Sequence, residues 1–86
     1  MNDNDNCMTL YQLIIKLNTF RPIKLVFNGL VLYDDTSNEE SLSFYFVIRD
    51  RINHIKNSIV DHVELDLVSN NRTIVYAYGT TILEEI

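Results

Sequence analysis

HVELDLVSNNRTIVYAYG, residues 62–79, alternates side chains of unlike character on either side of Asn70-Asn71, and its reading decides the fold. Period-two alternation is the mark of a half-buried strand, and Asn70-Asn71 can be tested as a two-residue turn between two such strands. With the turn at Asn70-Asn71, Leu67 is set against Ile74, Leu65 against Tyr76 and Val63 against Tyr78. His62, Glu64, Asp66 and Val68 then share the other face with Thr73, Val75 and Ala77. A slip of one residue would mix the two sets, so turn and alternation support each other.

A second hairpin lies upstream. In IKLVFNGLVLYDD, residues 23–35, Asn28-Gly29 suits a type I′ turn, which needs positive φ at both central positions. Phe27 then pairs with Leu30 and Leu25 with Leu32, on one face with Ile23. Ahead of it, MTLYQLIIKLN carries Leu10, Leu13, Ile14 and Leu17 on one helical stripe, and Thr9 with Gln12 makes a capping box. Pro22 biases Arg21 out of the helical region and ends the helix.

Between the hairpins, SLSFYFVIRDRINHIKNSIV supports two patterns. Leu42, Phe44, Phe46 and Ile48 alternate like a strand, while Tyr45, Ile48, Ile52, Ile55 and Ile59 share a helical face. The longer pattern, with Glu39, Glu40 and Ser41 or Ser43 at its start, predicts a helix over about 43–57. Phe46 and Val47 then point away from the core stripe, and either meet a loop or form part of a contact surface.

The resulting order is αββαββ: an α+β two-layer sandwich in which two helices cover one face of a four-stranded, mainly antiparallel sheet. The chain, 1–86, reads as a single domain with 1–7 as a tail. The expected core is Leu10, Leu13, Ile14, Leu17, Ile23, Leu25, Phe27, Leu30, Leu32, Tyr45, Ile48, Ile52, Ile55, Val63, Leu65, Leu67, Ile74 and Tyr76.

Composition narrows function. A formal charge of -5 with seven scattered basic residues disfavours direct nucleic acid binding, which needs clustered cations, and favours a basic protein partner. The apolar runs are too short to span a bilayer, and a lone Cys7 suits a reducing cytoplasm. Two glycines, Gly29 and Gly79, cannot build a phosphate-cradling loop, and no nucleophile motif is present, so no enzymatic activity is expected. His62, Glu64 and Asp66 share a strand face but are spaced too widely to converge on a metal; no cofactor is implied.

The residues that remain for binding are Tyr33, Asp34, Asp35, Glu39, Glu40 and Phe46, joined by Glu64 and Asp66. YDDTSNEES, 33–41, concentrates four of the acids. The frame of MTLYQLIIKLN, an Asn-Gly hairpin and the terminal hairpin resembles small acidic proteins of phages and mobile elements of low-GC bacteria. Some of those are anti-CRISPR proteins. The resemblance implies an inhibitor that occupies the basic nucleic acid-binding surface of a host nuclease, such as a CRISPR effector, in the bacterial cytoplasm; it transfers no individual site residue. A self-associating accessory protein, with a homodimer through Phe46 and an edge strand, and an antitoxin-like binder of a basic partner are the alternatives.

Overall fold

The computed structural model describes residues 7–35, 44–70 and 72–84. Five strands and two helices follow in the order β1 (Met8–Thr9), α1 (Leu10–Phe20), β2 (Lys24–Phe27), β3 (Leu30–Asp34), α2 (Phe44–Arg51), β4 (Ile59–Ser69) and β5 (Arg72–Thr80). They form one sheet in the order β1-β4-β5-β2-β3. All neighbours are antiparallel except β2 and β5, which run parallel. The expected four-stranded, mainly antiparallel αββαββ arrangement is thus corrected to a five-stranded mixed sheet of order βαββαββ. The physical reason is that alternation within a hairpin fixes the hairpin's own pairing and is silent on which edges two hairpins present to each other. A two-residue strand such as β1 is likewise too short to carry a period.

α1 begins as its sequence dictates. The Thr9 hydroxyl accepts from the Gln12 backbone N–H at 3.1 Å, while the Gln12 side chain accepts from the Thr9 N–H at 3.0 Å. Both donors would otherwise be orphans at the helix start. The helix stops at Arg21, which is left-handed at φ 57 and donates its N–H to the Leu17 carbonyl at 2.7 Å. Thr9→Ala is expected to lower stability by about 1 kcal/mol. A urea midpoint that does not move would show that the tertiary packing of α1 makes its cap redundant.

α2 is shorter than the expected 43–57. After Ile52 N–H reaches back to the Ile48 carbonyl, the chain tightens into three-residue turns, Asn53 to Asp50, Ile55 to Ile52 and Ser58 to Ile55. The tightened turns still deliver Ile52 and Ile55 to the core, which is why the apolar spacing outlasts the helix. Arg51 donates to the Leu32 carbonyl at 3.0 Å and ties α2 to β3.

The core lies between the helices and one face of the sheet: Leu10, Leu13, Ile14 and Leu17 from α1, Ile48, Ile52 and Ile55 from α2 and its turns, and Leu25, Phe27, Leu32, Val60, Val75 and Ala77 from the strands. Three irregularities decide which strand residues belong to it, the first between Val60 and His62, where Asp61 is an extra residue and Val60 comes onto the core face. Between Leu67 and Ser69 the β4/β5 pairing shifts, leaving Val68 as an extra residue, so Leu67 pairs with Thr73, Leu65 with Val75 and Val63 with Ala77. The turn is where the sequence places it, with Ser69 opposite Arg72, but the bulge exchanges the faces of β5. Thr73, Val75 and Ala77 are buried, whereas Ile74 and Tyr76, expected in the core, are only half-buried on the other side. In β2/β3, Phe27 pairs with Leu30 as expected, but a shift pairs Leu25 with Tyr33 instead of Leu32.

Four expected core residues are therefore exposed: Leu30 at 57%, Val63 at 38%, Leu65 at 62% and Leu67 at 71%. The last three share the face of Val75 and Ala77, yet the helix layer leaves them open. Tyr45 lies in α2, and its side chain is outside the described residues.

Candidate functional site

The face of the sheet turned away from the helices can be built row by row from the pairing. One row runs Asp66, Ile74, Lys24, Asp34 across β4, β5, β2 and β3. The next runs Glu64, Tyr76, Val26, Val31, and a shorter third pairs His62 with Tyr78. At about 4.8 Å per strand, Asp66 and Asp34 stand roughly 14 Å apart at the backbone, while Glu64 and Asp66 are neighbours on β4, about 7 Å apart. Lys24 sits opposite Asp34 in the ladder, so the charge at the β3 end of the row is locally balanced.

On β4 the balance is different. Glu64 and Asp66 are exposed, and the His62 ring nitrogen Nε2 lies 3.0 Å from a Glu64 carboxylate oxygen. The His62 ring stacks on Tyr78 with centroids 5.7 Å apart and planes 29° apart. The stack and the hydrogen bond hold Glu64 beside an aromatic surface formed by Tyr76 and Tyr78. Among the described residues, no group of three or more His, Cys, Asp or Glu side chains is placed to hold a metal ion. Arg49 and Lys56, by contrast, line a groove of about 410 Å³ with Tyr11 and Asn53 on the helix layer, the opposite side of the molecule from the Glu64 and Asp66 carboxylates.

The eight residues singled out in the sequence are not gathered at one place. Glu64 and Asp66 stand together on the exposed face of β4. Asp34 ends β3 on the same face, half-buried, and Asp35 follows it with its N–H bonded to the Ile23 carbonyl at 2.8 Å. Tyr33 pairs with Leu25 and packs partly buried against the core, on the helix side. Glu39 and Glu40 lie outside the described residues; Phe46 is in α2, with its side chain outside them. What sequence reasoning did not assemble is the aromatic and basic context of the β4 acids: Tyr76, assigned to the core by the unbulged register, and Lys24, which reaches this face only through the parallel β2/β5 join. The signal for Tyr78 was present, since it follows Tyr76 at period two.

Comparison with protein families, curated proteins and solved structures finds no match for the chain. None of the described helices is long and apolar enough to cross a membrane. The functional reading therefore rests on the chain's own residues.

Proposed function

We propose that the protein is a non-enzymatic inhibitor of the anti-CRISPR kind, acting in the cytoplasm of a bacterial host by occupying the basic surface with which a defence nuclease holds nucleic acid. The single observation that carries the reading is the exposed pair Glu64 and Asp66 on the helix-free face, set beside Tyr76 and Tyr78. Carboxylates present to Arg and Lys the same negative oxygens as phosphates, and the Arg fork donates bidentately to either group. Each exposed ion pair contributes only about 0–1 kcal/mol, so the acids steer and orient while the tyrosines supply buried contact area. The Arg49 and Lys56 groove on the opposite layer does not cancel the local field, because at 0.15 M salt charges screen each other over about 8 Å.

The test is protection in cells. A plasmid targeted by a CRISPR effector nuclease is expected to survive when the chain is co-expressed. The Glu64→Gln/Asp66→Asn pair, which changes no buried group, is expected to abolish protection while leaving the melting temperature within a few degrees. Full protection by that variant would dispose of the acidic face as the mechanism. Absence of protection by the wild-type chain against every effector type tried would dispose of the reading itself.

A further inference from the structure

We propose that the outer edge of β4, residues 61–69, receives a strand of the partner in which apolar and basic residues alternate. β4 stands second from one edge of the sheet, but β1 covers only its start, with Met8 opposite Val60 and Thr9 opposite Ile59. Beyond Val60, among the described residues, nothing pairs with the outer side of β4. A long edge of this kind presents unpaired backbone donors and acceptors to any strand that matches its two faces.

The two faces specify the match. On the helix side Val63, Leu65 and Leu67 form an exposed aliphatic row, and Leu67 continues into a groove shared with Phe20, Arg21 and Thr73 at the end of α1. The opposite face carries His62, Glu64 and Asp66. An added strand in register sets its own side chains about 5 Å from these, aliphatic against aliphatic on one face and Lys or Arg against the carboxylates on the other.

A second copy of the chain fits this edge less well. Laid antiparallel and centred on Leu65, it sets Glu64 against the copy's Asp66; centring it on Glu64 or Asp66 sets that residue against itself, and directly opposed like charges destabilise a ladder. Centring it on Val63 sets Glu64 against the copy's His62 but confines the ladder to 61–65, because β1 already pairs with Val60. The edge acids thus disfavour the longer self-paired registers and select a basic strand. The inference rests on the inhibitor reading only for the partner's charge.

The experiment uses the full chain, isotopically labelled, and a short capped peptide of alternating lysine and valine. The peptide is expected to shift and protect the amides of 61–69 and to leave β3 unmoved. The same residues in two blocks, or the alternating peptide N-methylated at every second residue, are expected to bind at least about tenfold more weakly, because they lose register or backbone bonding. Glu64→Gln/Asp66→Asn and, separately, Leu65→Thr/Leu67→Thr are each expected to weaken binding about tenfold with the fold intact, since all four side chains are exposed. Equal binding of blocked and alternating peptides, no binding at all, or a dimer joined along 61–69 would overturn the proposal. So would peptide binding that develops only after residues 1–6 are removed. Because no nuclease takes part, failure here leaves the plasmid-protection outcome standing by itself.

Discussion

Gly79→Ala is expected to destabilise the protein by about 3 kcal/mol or more, a fall in melting temperature of roughly 12–24 °C for a domain of this size. An alanine Cβ at this position would stand 1.8 Å from the Ile59 carbonyl oxygen, 2.8 Å from its carbon and 3.0 Å from the Val60 Cα. These are backbone atoms of the neighbouring strand, so no side-chain rotation relieves the overlap. β4 and β5 would have to separate where Val60, itself 2% exposed, enters the core. Glycine-to-alanine changes can stabilise by up to about 1 kcal/mol through the unfolded chain, and here the clash decides the sign. Thermal melting measures it directly, and an unchanged midpoint would mean that the two strands do not approach this closely.

Asn28→Ala is expected to cost about 2–3 kcal/mol, for a reason separate from its place in the turn. Asn28 is left-handed, with φ 49, and its N–H donates to the Ala77 carbonyl at 2.9 Å. Its side-chain amide then donates to the Gly79 carbonyl at 3.0 Å and accepts from the Gly79 N–H at 3.0 Å. One side chain in this way continues the parallel β2/β5 ladder for a further step after the backbone of β2 has turned away. Removing it forfeits these two hydrogen bonds and a third, in which the amide donates to the Thr81 hydroxyl at 3.2 Å, about 0.5–1 kcal/mol each, and leaves a non-glycine residue in the left-handed region without the local bonding that favours Asn there. Asn28→Gly keeps the backbone freedom and loses only the bonds, so it is expected to be the milder change. Urea denaturation of the two variants separates the terms, and equal losses would assign the whole effect to the hydrogen bonds.

Asn28 also marks the limit of what could be read from the sequence. Asn28-Gly29 announces a hairpin turn, and the turn is there, with Gly29 also at positive φ. Nothing nearby announces that the same amide bonds Gly79, because that contact exists only once β2 and β5 lie parallel. The capping box of Thr9 and Gln12 and the stripe of Leu10, Leu13, Ile14 and Leu17 were legible because helix geometry is local. The position of the Asn70-Asn71 turn was legible as well. The bulge at Val68 was not, since an extra residue leaves the alternation on each side of it intact and moves only the register between them.

The same distinction applies to the candidate site. Period two told which residues of β4 share a face, so Glu64 and Asp66 were paired from the sequence alone. It could not tell whether either face is covered: Val63, Leu65 and Leu67 have the pattern of a core row and lie on the core side, yet they are left exposed. That exposed row follows from element lengths, because α1 and β4 are both 11 residues long but a helix rises about 1.5 Å per residue and a strand about 3.3 Å. The structure also shifts emphasis among the acids. Asp34 stands in the ladder opposite Lys24 and is half-buried, whereas Glu64 and Asp66 face outward.

The central claim, that the helix-free face of β4 takes the place of nucleic acid on a basic protein surface, is tested most directly by a competition titration. A CRISPR effector nuclease protected against by the chain in cells is loaded with a fluorescent nucleic acid, and the chain is added at low and at high salt. The account predicts displacement at low salt that weakens steeply as salt rises, and at least about tenfold weaker displacement by Glu64→Gln/Asp66→Asn. Displacement by that variant equal to wild type and insensitive to salt would contradict it.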